Sequence, residues 1–447
     1  MARPTARDIA LTALLAVHRD QAYANLVLPP LLSRSALSAQ DRAFATELTY
    51  GALRREGELD IVIAEAASRS LGSIDTLALD ILRLGVYQAL FMRVPGHAIV
   101  NEAVTQAKRE APRASGFVNA VLRSVLQKTP EEWGERVSRA ETIVHGHPAW
   151  IAQRLQQALS ECGLGDELTE LLIAHNEAPR VTLCLLPGLA EATGDDARTS
   201  LSPLGVTLAS GAPGHDERLS RGLARVQDEG SQLAALVVSR LRPIEPGETW
   251  LDMCAGPGGK TAVLAAEAAL AGATLVAVEK QPHRARLVEQ SVQAVLASAP
   301  GVVEVVTADS LEIPATTRSF DRVLLDAPCS GLGALRRRPE ARWRKSESDI
   351  PALVDLQKRL LSRALELVKP GGDVIYVTCS PVIEETTAVI SSVIREQQGR
   401  VLAVDTLPVL EAIAGKTIEH ARRGTAVQMW THHHHTDGMF IQILRAL

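Results

Sequence analysis

The stretch Leu251-Asp252-Met253-Cys254-Ala255-Gly256-Pro257-Gly258-Gly259-Lys260-Thr261 constrains this chain more than any other. It follows the apolar Thr249-Trp250-Leu251 and runs into the Ala/Leu-rich segment Ala262 to Leu270. That order reads as a strand end, a tight turn and a helix start. The glycines let backbone N–H groups approach a ligand with no Cβ in the way, and the helix start carries partial positive charge. Strand and helix patterns then alternate over residues 226–447. Strands are expected at Glu248 to Leu251, Thr274 to Glu279, Val302 to Ala308, Arg322 to Leu325 and Asp373 to Thr378, with a closing hairpin of Ala426 to Trp430 and Met439 to Leu444. Alternating βα units imply a parallel sheet with ligand sites at the carboxyl ends of its strands.

The front of the chain has a different period. From Ala6 to Gln127 apolar residues recur at three-and-four spacing, as in Ile9, Ala13, Leu14 and Val17, or Leu77, Ile81, Leu84 and Tyr87 with Gln88. This predicts an independent all-α domain. Thr129-Pro130-Glu131-Glu132 reads as a capped helix start, His147-Pro148-Ala149-Trp150 opens another helix, and Asn176 to Leu186 reads as a loop into a strand. The Gly/Pro/Ser-rich run from Ser200 to Gly214 reads as loop. The expected boundaries are 1–128, 129–225 and 226–447, and 447 residues suit two or three domains. No apolar run approaches the roughly 18 uncharged residues of a membrane span. Five scattered cysteines do not form a disulfide framework. With no signal-like N-terminus, a cytoplasmic monomer is the expectation. A net charge of −5 confines any nucleic-acid surface to a local patch.

Two ligands compete for the glycine turn. Cys254 to Thr261 matches the phosphate-binding G-x-x-x-x-G-K-[ST] pattern at all but its first position, where Cys254 stands. Val323-Leu324-Leu325-Asp326 would then be the acidic strand of an ATPase. Against this, Glu279 ends the next strand, where a carboxylate takes ribose hydroxyls. Asp309 ends the third, placed to accept from an adenine amine. The pair describes an adenosine with a short, non-triphosphate tail, and S-adenosylmethionine fits. The cofactor-facing set is Cys254, Ala255, Gly256, Pro257, Gly258, Gly259, Lys260, Glu279, Arg284, Asp309 and Asp326.

Asp326-Ala327-Pro328-Cys329-Ser330-Gly331 and Thr378-Cys379-Ser380 each set a cysteine just beyond a strand end, and neither has a C-x-x-C partner. Together with the Cys254–Lys260 turn these motifs resemble the RNA (cytosine-C5) methyltransferases. Asp41 to Phe44, Tyr50 to Arg54, Ile81 to Gln88, His97 to Val104 and Phe117 to Arg123 resemble, in order, the NusB-like RNA-binding helical domain. Combined, the chain resembles RsmB-type (Sun/Fmu) enzymes that act on small-subunit ribosomal RNA. The resemblance implies a helical domain, a small linking region and a Rossmann-like methyltransferase domain. It assigns Cys379 as nucleophile toward cytosine C6 and Cys329 to product release. Asp326 would face the N3/N4 edge, and Lys260 would supply positive charge near the thiolate. The same chemistry on tRNA, or a non-catalytic RNA-binding factor, are the competing readings.

Arg336, Arg337, Arg338, Arg342 and Trp343 form a basic run with an aromatic and are expected to bind RNA. Arg7, Arg42 and Arg54 are phosphate candidates on the helical front. His432-His433-His434-His435 departs from the family pattern near the closing Asp437-Gly438-Met439-Phe440. It reads as an exposed loop near RNA, and the reaction requires no metal.

Overall fold

A computed structural model describes residues 3–208, 216–314 and 319–447. The chain divides into two units. The first comprises Met1–Gln153, Leu172–Glu177 and Leu335–Lys345. Its helices run Ala6–Arg19, Ala24–Ser33, Ala39–Arg54, Glu56–Ala67, Thr76–Phe91, Gly96–Glu110, Ser115–Val125 and Pro130–Ser138, followed by a short hairpin of β1 (Ile143–Val144) and β2 (His147–Pro148). Capping chemistry sets the starts. Thr5 and Asp8 form a reciprocal capping box, as do Thr129 and Glu132 ahead of Pro130, while Asp75 accepts from the amides of Leu77 and Ala78. The stripe Ile9, Ala13, Leu14 and Val17 is buried, as are Ile81, Leu84, Tyr87 and Gln88.

In the structure the helical unit extends past residue 128. The helix Pro130–Ser138 belongs to the helical unit rather than to a linker, because Trp133 is buried there and its Nε1 donates to the Val125 carbonyl at 2.9 Å. The helical unit also takes in Leu335–Lys345, far along the sequence.

The second unit comprises Arg154–Leu171, Ala178–Ala334 and Ser346–Leu447. Here β3 (Thr182–Leu185), β4 (Ala197–Arg198), β5 (Gly205–Thr207) and β6 (Ala224–Val226) make an antiparallel sheet ordered β4-β5-β3-β6. So the Ser200 to Gly214 run is not all loop: it contains β5, and residues 209–215 lie outside the described residues. Nor does this sheet form a separate body. Cys184, Leu186 and Leu201 share one apolar cluster with Leu233–Val238 and Trp250.

The main sheet carries β7 (Thr249–Asp252), β8 (Thr274–Glu279), β9 (Val303–Thr307), β10 (Phe320–Asp326), β11 (Val368–Thr378), β12 (Val401–Val404), β13 (Arg422–Arg423), β14 (Ala426–Gln428) and β15 (Phe440–Ala446). Its order is β13-β14-β15-β11-β10-β7-β8-β9, with β12 also paired to β15. The run from β9 to β11 is parallel, and β15 joins β11 antiparallel, Thr378 opposite Phe440. Connections diverge between β7 and β10, the switch point where open α/β sheets bind ligands. Below it, the buried Arg322 donates to Glu248 at 2.7 Å and to the carbonyls of Val238, Ser239 and Pro243.

In the helical unit, Glu56, Asp60 and Asp80 face Arg83 and His18. Burial opposes the His18 imidazolium, but hydrogen bonds to Asp80 and Glu56 outweigh it and raise its pKa to about 9. That charge therefore stabilises the fold fully below pH ~6.5, and the contribution is lost as pH rises through about 9. It is expected to amount to about 3 kcal/mol. Denaturant unfolding at pH 6 and pH 10 should show this extra loss in the wild type and not in His18→Gln; parallel curves would refute it.

Candidate active site

The glycine turn leaves β7 under tight backbone control. Met253 N donates to Leu324 O at 3.0 Å and Ala255 N to Val278 O at 3.0 Å, so the turn is pinned to both flanking strands. Gly258 sits at φ +102° and caps the helix Gly259–Ala271. A Cβ at Gly256 would come 2.3 Å from Glu279 Oε2, and one at Gly258 would come 2.1 Å from Ser291 Oγ. Only glycine fits either place.

Glu279 is buried at the end of β8. Its Oε2 accepts from Gly256 N at 3.0 Å and its Oε1 from Gln281 N at 2.8 Å. Arg284 lies 3.4 Å from Glu279 and donates to the Gly256 carbonyl. Asp309, beyond β9, accepts from Lys280 Nζ at 2.7 Å and from Leu311 N at 3.0 Å, and both bonds lower its pKa. Cys254 is half-buried, and burial followed by the charges of Asp252 and Asp326 pushes its thiol up.

Sequence reasoning passed over Asp252. Its Oδ2 accepts from Thr261 Oγ1 at 2.8 Å, while Oδ1 is buried without a partner. Burial and the nearby Asp326 raise this carboxyl to about 7. An orphaned oxygen under the turn suits a ligand bearing a donor.

The ends of β10 and β11 bring the two cysteines together, with Cys329 Sγ 3.4 Å from Cys379 Sγ. The Cys379 hydrogen bond and burial raise the Cys329 thiol well above its ordinary range. Lys260 Nζ donates to Asp326 Oδ2 at 2.7 Å. Burial works against the Lys260 ammonium, but Asp326, Cys379 and Asp252 more than compensate and raise its pKa.

A second residue missed in the sequence underlies the pair. Glu385, fully buried, accepts from Ser330 N at 2.7 Å, Ser330 Oγ at 2.5 Å, Ser380 Oγ at 2.6 Å and Gln357 Nε2 at 3.1 Å. Those serines directly follow the two cysteines. On the other side, Gly333 N donates to the Cys379 carbonyl at 2.9 Å and Gly438 N to the Gly333 carbonyl at 2.7 Å. The sequence signal for Glu385 was slight: a Glu-Glu pair just after Thr378-Cys379-Ser380.

The basic run needs correction. Arg342 is fully buried, donating to the carbonyls of Arg54, Gly146 and His175 and to Asn176 Oδ1. Trp343 Nε1 donates to Leu53 O at 3.2 Å, and its ring lies against Gly57, where a Cβ would come within 2.4 Å. Arg336 is buried as well, Arg337 half-buried and Arg338 exposed. The buried Arg336 and Arg342 and the half-buried Trp343 thus pack within the helical unit, so of this run Arg338 is the residue exposed to solvent. Arg54 is buried too, while Arg7 and Arg42 are half-buried, held by Gln88 and the Leu37 carbonyl. His432 to His435 is no exposed loop either, since Thr431–His434 forms a helical turn with His434 buried.

A strand–turn–helix of this form on a parallel sheet, with acidic residues closing the neighbouring strands, is a Rossmann-like frame for an adenosine-bearing ligand, and the family match makes it that of an S-adenosylmethionine-dependent methyltransferase. The family model described as 16S rRNA methyltransferase RsmB/F matches residues 239–445, and the NusB family model matches residues 4–127. A Mycobacterium tuberculosis protein that carries the name methyltransferase is 45% identical, over 99% of this chain and 96% of its own. The ribosomal RNA small subunit methyltransferase B of Pseudomonas putida is 32% identical, over 88% of this chain and 89% of its own. The crystal structure of PH0851 has the same fold, with a TM-score of 0.79 at 22% identity over 98% of this chain and 97% of that one. The chain belongs to the RsmB/F family of ribosomal RNA methyltransferases, with a NusB-family helical unit before the methyltransferase domain.

Glu385→Ala would remove the acceptor of the buried Ser330 amide and of the Ser330 and Ser380 hydroxyls and is expected to cost roughly 2–4 kcal/mol in denaturant unfolding. Arg342→Ala should likewise destabilise the fold, by about 3 kcal/mol, through the acceptors it leaves buried. A soluble Arg342→Ala protein of wild-type stability would restore the RNA-facing reading.

Proposed function

We propose that this protein methylates C5 of a cytosine in small-subunit ribosomal RNA, with Cys379 as nucleophile and Cys329 assisting release. The observation that carries the reading is the 3.4 Å approach of the two sulfurs beside the Lys260–Asp326 pair. Cytosine C5 is a poor nucleophile on its own. Addition of the Cys379 thiolate to C6 places electron density on C5. Gly256 to Lys260 would hold S-adenosylmethionine at the turn, where it would supply an electrophilic methyl group to C5, with S-adenosylhomocysteine as the leaving group. Together with Asp252 they would hold the donor's methionine end, Glu279 its ribose and Asp309 its base.

The chain's own groups favour each state of the sulfur. An ordinary thiol, with a pKa of about 8.5, is only a few per cent ionised at neutral pH. Lys260 offers positive charge close to Cys379, and the Cys329 S–H can donate to the thiolate. Asp326, held by Lys260, is aimed to hydrogen-bond the N3/N4 edge of the ring during addition. In the elimination a base takes the C5 proton, a role Cys329 fills as its thiolate, while the C6–S bond breaks and Cys379 leaves as thiolate. Support for ribosomal RNA over tRNA comes from the relatives' names and from the NusB-family unit.

Cys379→Ala is expected to lower methyl transfer by at least about a thousandfold. Cys329→Ala should instead accumulate a covalent protein–RNA adduct, seen as a shifted band on a denaturing gel. An adduct that builds up in Cys379→Ala would reverse the two roles. Bisulfite mapping of ribosomal RNA from cells lacking the protein should reveal one newly unprotected cytosine; unchanged ribosomal RNA would redirect the reading to tRNA.

A further inference from the structure

The turn Thr431–His434 takes no part in the chemistry above, yet it is closely built. His434 anchors it: Nδ1 accepts from Trp430 N at 2.8 Å, and Nε2 donates to the Glu419 carbonyl at 2.9 Å. His433 stacks on His420, ring centroids 4.2 Å apart and planes within 10°. With those two fixed, His432 and His433 both aim Nε2 at one oxygen, Glu167 Oε2, at 2.9 and 2.7 Å. Neighbouring helical residues ordinarily diverge by about 100° around the axis, so convergence on a single atom needs the packing seen here.

We propose that Glu167, His432 and His433 form a binding site for a zinc-class divalent metal. The three donor atoms lie within 4.8 Å of one another. Two imidazole nitrogens and one carboxylate oxygen are a donor set zinc takes, with a fourth position left to water. A cavity of about 320 Å³ lined by His420, His433, Lys416 and Glu419 leaves room on that side. The metal would act as a clip and needs no catalytic step. The same segment continues to Asp437, whose amide donates to Asp228 Oδ1 at 3.0 Å, and to Gly438, whose amide meets the Gly333 carbonyl beside the cysteine loops. Pinning the turn to Glu167 therefore steadies the approach to the Cys329 loop.

The test titrates zinc chloride into the full-length protein after chelator stripping, followed by calorimetry, with cobalt(II) absorption reporting the coordination number. One equivalent per chain, a four-coordinate cobalt spectrum and a raised melting temperature are expected. Glu167→Gln and His433→Ala, checked for folding by circular dichroism, should each weaken binding by at least about tenfold. His435→Ala should leave it unchanged. Absence of zinc binding in the wild type overturns the proposal. So does binding that survives Glu167→Gln but is lost in His435→Ala, which would assign the metal to the histidine run alone.

Discussion

The buried carboxylate of Glu385 is the contact on which the sulfur geometry depends. Two strand ends can lie side by side in a parallel sheet and still send their following loops in different directions. Here each loop places a serine immediately after its cysteine, and both hydroxyls close on one carboxylate oxygen, Ser330 at 2.5 Å and Ser380 at 2.6 Å. Gln357 joins them from the helix Ile350–Leu367. A buried carboxylate satisfied by several donors resists displacement, because each broken bond leaves a polar group without water. The sulfurs are thereby held close without a covalent link.

The glycine turn relies on the same principle with opposite partners. Glu279 and Arg284 grip the backbone of Gly256, whose missing side chain makes room for the carboxylate. The acidic group expected to meet ribose thus also braces the turn that meets the methionine end. Asp252 is the exception, a buried carboxyl raised to about 7 with its Oδ1 unpaired.

Much of this was legible in the residues. The βα alternation located the parallel strands, and Thr274–Glu279 in the structure has the limits expected of it. Polar residues at strand ends pointed to the candidate site, since a strand buried on both faces leaves its carboxyl end as the place for chemistry. The basic run misled because charge density in sequence carries no information on burial. Arg342 and Trp343 look like an exposed RNA stripe in one dimension, yet Arg342 is buried in the helical unit, where backbone carbonyls take its guanidinium protons, and Trp343 is half-buried beside it. The histidine run misled in the same way.

By itself the sequence determined the helical front, the order of βα units, the cofactor turn and the two cysteines. These are set by local periodicity and by residue types whose backbone or chemical properties act within a few positions. Tertiary structure alone decided which groups meet across long separations. Glu385 bridging Ser330 and Ser380, Leu335–Lys345 joining the helical unit and Glu167 meeting His432 and His433 belong to this second class. Their partners are chosen by packing and by the cost of leaving a buried polar group unpaired, and neither has a signature in a linear pattern.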